Sequence, residues 1–205
     1  MAKLYFRYGA VGSSKTLNLL AVAHTYRSQD KKVLLMKPEL DDRFGQVSIQ
    51  SRAGLTAEAD FLLGSHYEAS PADLVGVHCV LVDEAQFLTS QVIEQLRRVV
   101  DEFHIPVICY GLRTDFRRQL FSGTKRLMEL ADAIEEVKST CHYCNKKAIY
   151  NLKLVDGLPT ISGPAIELGC EEKYLPTCAG CYQRQTATLS SLMTVGNDHQ
   201  PSLIH

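Results

Sequence analysis

The chain has 205 residues, 45% hydrophobic and 22% charged, proportions of a water-soluble globular protein long enough for one full domain and a small appended module. A formal net charge of -1 excludes a global positive field that would draw in nucleic acid or an anionic membrane, and apolar runs such as Val33 to Met36 are too short to cross a bilayer. The opening stretch Met1 to Tyr5 lacks the apolar core and cleavage site of a secretory signal, so a cytoplasmic location is expected; there, seven cysteines indicate metal ligation or buried thiols rather than disulfides.

Leu4 to Tyr8 reads as a first strand, Gly9 to Ser14 as a loop, and Thr16 to Tyr26 as a helix whose apolar face runs through Leu17, Leu20, Ala21 and Ala23. Gly9-Ala10-Val11-Gly12-Ser13-Ser14-Lys15-Thr16 thus follows a strand and opens a helix, the setting in which such a run cradles phosphates. Successive backbone N–H groups point inward, the helix N-terminus adds partial positive charge, and small residues let an anion approach. Lys15 is placed to reach the β- and γ-phosphates of ATP, and the Thr16 hydroxyl to ligate Mg²⁺. Ser14 departs from the pattern, because glycine usually precedes the lysine and a Cβ narrows the backbone conformations available there.

Val33 to Met36 and His78 to Val82 read as further buried strands. The second ends abruptly in Asp83 and Glu84, and open α/β sheets place their sites at such strand ends. Adjacent carboxylates repel, so they need a cation or separate tasks: Asp83 suits the Mg²⁺ site opposite Thr16, and Glu84 points elsewhere as a proton acceptor. The proton comes from an acceptor alcohol in a kinase and from water in an ATPase, and both readings stay open on these residues.

Thr89 or Ser90 caps a helix running to about Val100, with Ile93, Leu96 and Val100 on one face. Val107 to Tyr110 and Ile134 to Val137 complete the strand series. Alternating strands and helices predict an α/β domain over residues 1–139, a parallel sheet of the phosphate-loop NTPase kind with helices on both faces.

Cys141-His142-Tyr143-Cys144 and Cys178-Ala179-Gly180-Cys181 are two CxxC knuckles, together a Cys₄ set for a structural Zn²⁺ with no open coordination position. They predict a small zinc-ribbon domain over residues 140–185, its long inserted loop tethered at both ends by the metal. Residues 186–205, rich in Ser, Thr, Asn and Gln, read as a flexible tail. Cys79, Cys109 and Cys170 lack partner spacing and read as ordinary thiols.

Asp83-Glu84-Ala85-Gln86-Phe87, with the glycine-serine loop upstream and the cysteine pairs downstream, resembles the thymidine kinase family of the cytosolic, zinc-containing type. Order and spacing match across nearly the whole chain, and further matching stretches are Asp41 to Gly45, Ser51-Arg52, Tyr110 to Phe116 and Glu172-Lys173-Tyr174. The resemblance implies an α/β kinase domain, a zinc module whose loop folds over the nucleoside like a lasso, thymidine and ATP with Mg²⁺ as substrates, a homotetramer, and neither a nucleic-acid nor a membrane partner.

Carried onto this chain, Glu84 looks like the catalytic base, with Gly9, Ala10, Val11, Gly12, Ser13, Ser14, Lys15, Thr16, Asp83 and Gln86 on the nucleotide side. Phe87, Leu112, Phe116 and Phe121 resemble the apolar wall around the base, Tyr174 the tyrosine that closes over it, and Arg52 the arginine near the 5′-phosphate region. Phe87, Leu112, Phe116 and Phe121 also read as ordinary core, Tyr174 as a ribbon residue and Arg52 as a solvated surface arginine. Ser51 replaces an aspartate of some members, Glu167 and Cys170 differ from the expected lasso residues, and Asn151 takes a position often held by threonine near the thymine methyl. The rival from another class is a phosphate-loop ATPase acting on nucleic acid through its zinc ribbon, which calls for a broad basic surface and usually more chain. A zinc-ribbon adaptor without activity is the third reading, and it leaves the loop and the acidic pair unexplained.

Overall fold

Alternate side chains along the buried strands enter two separate cores, which makes their sheet the middle layer of the protein. The computed structural model describes residues 1–41, 45–165 and 173–195, the last eight by backbone alone. Asp42, Arg43, Phe44, Glu167, Cys170 and Glu172 lie outside the described residues, as does the chain from 196 onward.

The sheet strands are β1 (Leu4–Tyr8), β2 (Lys32–Pro38), β5 (Phe61–Leu63), β6 (Val77–Val82), β7 (Val107–Gly111) and β8 (Ala133–Glu136), ordered β5-β2-β6-β7-β1-β8. Every neighbouring pair is parallel. From β2, β6 and β7, Leu34, Met36, Val80, Val82, Val107 and Cys109 enter one core, while Val33, Leu35, Cys79, Leu81, Ile108 and Tyr110 enter the other. Period-two alternation with both faces apolar is what a helix-covered parallel sheet requires.

Helix α1 (Lys15–Arg27) covers one face with Leu19, Leu20 and Ala23. Leu19 takes the buried place expected of Leu17 and Ala21: Leu17 is half-buried beside the cleft described below, and Ala21 is exposed. Helix α2 (Ser90–Phe103) covers the other face with Val92, Ile93, Leu96, Val99 and Val100, capped by the Thr89 hydroxyl, which accepts the Val92 N–H. Beside it lies α3 (Ser122–Leu130), absent from the sequence reading; it buries Gly123, Thr124 and Leu127, with Met128 and Leu130 partly buried on the same core, and so short a helix offers little pattern to read. The three-residue strand β5 escaped notice for the same reason, as did the antiparallel pair β3 (Ser48–Gln50) and β4 (Thr56–Glu58).

Beyond the sheet, β9 (Tyr150–Val155), β10 (Leu158–Thr160) and β11 (Tyr174–Thr177) form an antiparallel sheet in the order β10-β9-β11. Asp156 and Gly157, both at positive φ (51° and 76°), make the tight turn between β9 and β10. The second cysteine pair opens α4 (Ala179–Val195), so the segment expected as a tail is helical as far as Val195. None of the described helices is long and apolar enough to cross a membrane.

Candidate active site

Because the sheet strands run parallel, the ends of β2, β6, β7 and β1 open side by side at one edge, and the residues following them line a single cleft. The glycine-serine loop follows β1. Its first glycine is a matter of space: a Cβ on Gly9 would lie 2.3 Å from Ser13 Oγ and 2.4 Å from the Val137 carbonyl. Ser14, the N-cap of α1, has φ 63° and ψ 27°, the left-handed conformation that makes glycine usual there. Its side chain is exposed, so the departure strains the backbone without closing the cleft.

Lys15 is buried and its ammonium lies over the loop, donating to the carbonyls of Gly9 (3.2 Å) and Ala10 (2.9 Å) and to Ser13 Oγ (3.3 Å). The Thr16 hydroxyl donates to Asp83 Oδ2 at 3.0 Å, joining residues 67 positions apart in the chain. Asp83 and Glu84 are both buried and both line the cleft, but they are held by different partners, and Glu84 stands in the left-handed region (φ 49°). The Glu84 carboxylate accepts a 2.5 Å hydrogen bond from Gln86 Nε2, and Gln86 Oε1 accepts the Leu112 N–H at 2.9 Å. Gln86 is 1% exposed and lies behind the cleft wall rather than on it.

Phe87, Leu112, Phe116, Phe121 and Tyr174 share the cleft with Glu84. Phe87 meets Phe121 edge to face at 5.7 Å, and Phe116 meets Tyr174 at 6.3 Å. Arg52 lines the same cleft, with one guanidinium nitrogen 3.4 Å from the place a Cβ on Gly12 would take. Its neighbour Ser51 is buried and turned into its own loop, its hydroxyl accepting from Leu55 N (3.1 Å) and donating to Leu55 O (3.2 Å). Gly9 and Ala10 lie at the rear of the loop, outside the cleft lining.

Two lining residues, Asp41 and Asp115, belong to stretches that resemble the family but have no role assigned from the sequence. Asp41 pairs with Lys37 at 3.1 Å, both buried, and the Lys37 ammonium also donates to the Ser48 carbonyl at 2.9 Å. A lysine inside an apolar strand, followed four residues later by an aspartate, was the available clue. Asp115 is buried too, accepting the N–H groups of Arg117 (2.9 Å) and Gln119 (2.8 Å), and so fixes the loop that carries Phe116.

Away from the cleft, the Sγ atoms of Cys141, Cys144, Cys178 and Cys181 lie within 4.8 Å of one another. Cys144 is 3.7 Å from both Cys178 and Cys181, and a tetrahedron of sulfurs about 2.3 Å from a central zinc has an edge of about 3.8 Å. The set therefore fits Zn²⁺. Burial raises the Cys141 thiol, but hydrogen bonds from the Cys178 and Tyr143 backbone and its sharing with Cys144 and Cys181 bring it down to about 6, toward the thiolate that a metal binds. Arg184 adds a donor to Cys181 Sγ at 3.0 Å. Cys79 and Cys109 differ: burial pushes the first up to about 11, against the lowering effect of the Tyr26 hydrogen bond and the Arg7 charge, and burial alone pushes the second higher still, so they are inert core thiols.

A helix-covered parallel sheet with this loop after β1 and a carboxylate pair after β6 is a phosphate-loop nucleotide-binding domain, here joined to a Cys₄ metal module. The thymidine kinase family model matches residues 2–182, and the chain belongs to that family. It is 44% identical to the thymidine kinase of Lactococcus lactis over 187 residues, covering 89% of this chain and 97% of the relative. The Lactiplantibacillus plantarum thymidine kinase is 44% identical with 89% and 96% covered, and that of Enterococcus faecalis 43% with 89% and 95% covered. Among solved structures, a Pif1 helicase from Candida albicans aligns over 67% of this chain and 36% of that one, with 12% identity and a TM-score of 0.40, too slight a likeness to bear on function.

Proposed function

We propose that this chain transfers the γ-phosphoryl group of ATP to the 5′-hydroxyl of thymidine, giving thymidine monophosphate. The carrying observation is that the two acidic side chains have different partners. Asp83 is bonded to Thr16 of the phosphate loop, while Glu84 turns into the aromatic cleft and is held there by Gln86. One carboxylate thus serves the nucleotide and the other the alcohol.

In this reading the loop amides and the Lys15 ammonium bind the β- and γ-phosphates, and Thr16 and Asp83 are the residues that would hold Mg²⁺, which would supply positive charge to the transferring group. Phe116 and Tyr174 close on the base, with Phe87, Leu112 and Phe121 as the apolar wall. Glu84 accepts the proton of the 5′-hydroxyl as its oxygen attacks the γ-phosphorus and the bond to the bridging oxygen of ADP breaks. Arg52, next to Gly12, offsets negative charge near the transferring group. Zn²⁺ on the four cysteines is structural, as the closed set of sulfurs supports, and the working enzyme is a cytoplasmic homotetramer, as the resemblance to the zinc-containing type implies.

Labelled ATP with Mg²⁺ and thymidine is the test. Thymidine monophosphate formed in proportion to ADP supports the transfer. Hydrolysis that ignores thymidine, or rises with added nucleic acid, supports the ATPase reading in its place. Light scattering reports the subunit number.

A further inference from the structure

Asn151 stands where three segments meet. It belongs to β9 of the metal module, is 4% exposed, and lines the cleft. Its Oδ1 accepts the N–H of Val11 in the phosphate loop at 2.9 Å, and its Nδ2 donates to the carbonyl of Thr114, beyond β7, at 3.1 Å. The two backbone partners leave only one orientation for the carboxamide, since a main-chain N–H needs an acceptor and a carbonyl needs a donor. Two further bonds tie the module to the site: Arg113 donates to the Ile149 carbonyl at 3.2 Å, and the Tyr182 hydroxyl to the Phe116 carbonyl at 2.5 Å. Of these bonds, the one from Asn151 reaches the phosphate loop itself.

Val11 directly precedes Gly12, whose φ of 74° turns the loop. A loop of small residues has little packing of its own to hold its curvature, so a fixed acceptor on one amide at its outer bend restricts where the remaining amides point. We propose that Asn151 is a positioning residue through which the metal-binding module sets the shape of the phosphate loop, so that nucleotide affinity depends on a side chain outside the nucleotide-binding segment. This rests on the reading of residues 9–16 as the phosphate cradle. When the acceptor is removed, the Val11 N–H must turn to find another, and the cradle turns with it.

The test measures ADP with Mg²⁺ and thymidine separately, by calorimetry, on metal-loaded wild type, Asn151→Leu and Asn151→Ala. Leucine keeps the volume without the two hydrogen bonds, and alanine covers the case in which leucine does not fold. The expected result is ADP affinity lower by roughly tenfold in each folded variant, with or without a change in thymidine affinity, since Asn151 also lines the cleft. Unchanged ADP affinity in either folded variant overturns the proposal. So does a loss confined to thymidine, which would make Asn151 a base contact alone. Because ADP binding is read without turnover, a failure to phosphorylate thymidine would count against the kinase reading and leave this result interpretable.

Discussion

The Gln86 side chain spans from the Glu84 carboxylate to the N–H of Leu112, using its amide nitrogen at 2.5 Å and its oxygen at 2.9 Å. Glu84 is thereby referred to the backbone after β7, the strand next to β6 in the sheet, and a carboxylate on a strained left-handed residue gains a fixed direction. The Thr124 hydroxyl, donating to Leu112 O at 2.7 Å, anchors the far end. Gln86→Leu, which keeps the volume, is expected to lower kcat about tenfold while ATP affinity stays near wild type. A parallel loss of ATP affinity would instead put Gln86 with the nucleotide contacts.

Glu84→Gln removes the proton acceptor and keeps the shape. Turnover should fall roughly 10²–10⁴-fold while nucleotide binding survives, as read by steady-state kinetics beside a nucleotide titration. An unaltered kcat removes Glu84 from the role of base.

Ser14→Gly should relieve the left-handed backbone at the N-cap of α1. A gain of about 1 kcal/mol corresponds to a Tm rise of about 2–4 °C for a chain of this size. Calorimetric melting of the two proteins measures it, and an equal or lower Tm would mean that the loop compensates the strain at this position.

Gly123 lets α3 rest directly on the turn that carries Gln86: a Cβ there would lie 2.6 Å from the carbonyls of both Ala85 and Leu88. These are backbone atoms and cannot swing aside. Gly123→Ala is expected to cost about 1–3 kcal/mol in urea unfolding and to lower kcat, because the turn that is displaced also aims Glu84. Full stability with full activity would show that α3 shifts freely.

Chelation should separate the six described thiols into two groups. With metal bound, Cys141, Cys144, Cys178 and Cys181 resist alkylation; once a chelator has removed it, they react at pH 8 and thymidine phosphorylation is lost. Cys79, pushed up to about 11 by burial, and Cys109 stay unmodified until the protein unfolds. Peptide mass mapping with metal analysis reads both, and rapid alkylation of the four cysteines in the metal-loaded protein would rule out closed coordination.

What could be read along the chain was whatever has a short period or a local geometry. Strands β1, β2, β6 and β7 announced themselves through apolar runs, α2 through its stripe and Thr89 cap, and the cysteine knuckles through their spacing. Short segments, such as the nine-residue α3 or the three-residue β5, gave little pattern to read. The helical course of residues 186–195 was hidden by polar composition, since its first turn is set by the cysteine pair rather than by an apolar face.

By itself the sequence determined the chemical inventory: a cradle of small residues, a carboxylate pair at a strand end, four thiols spaced for one metal, and a likeness to one enzyme family. The tertiary structure decided which of these groups meet. Strand order sets Thr16 against Asp83, Gln86 holds the second carboxylate, and β9 delivers Asn151 to the phosphate loop. The physical reason is that hydrogen bonds act over about 3 Å, whereas these partners lie tens of residues apart, so their pairing depends on the parallel sheet and on the docked metal module.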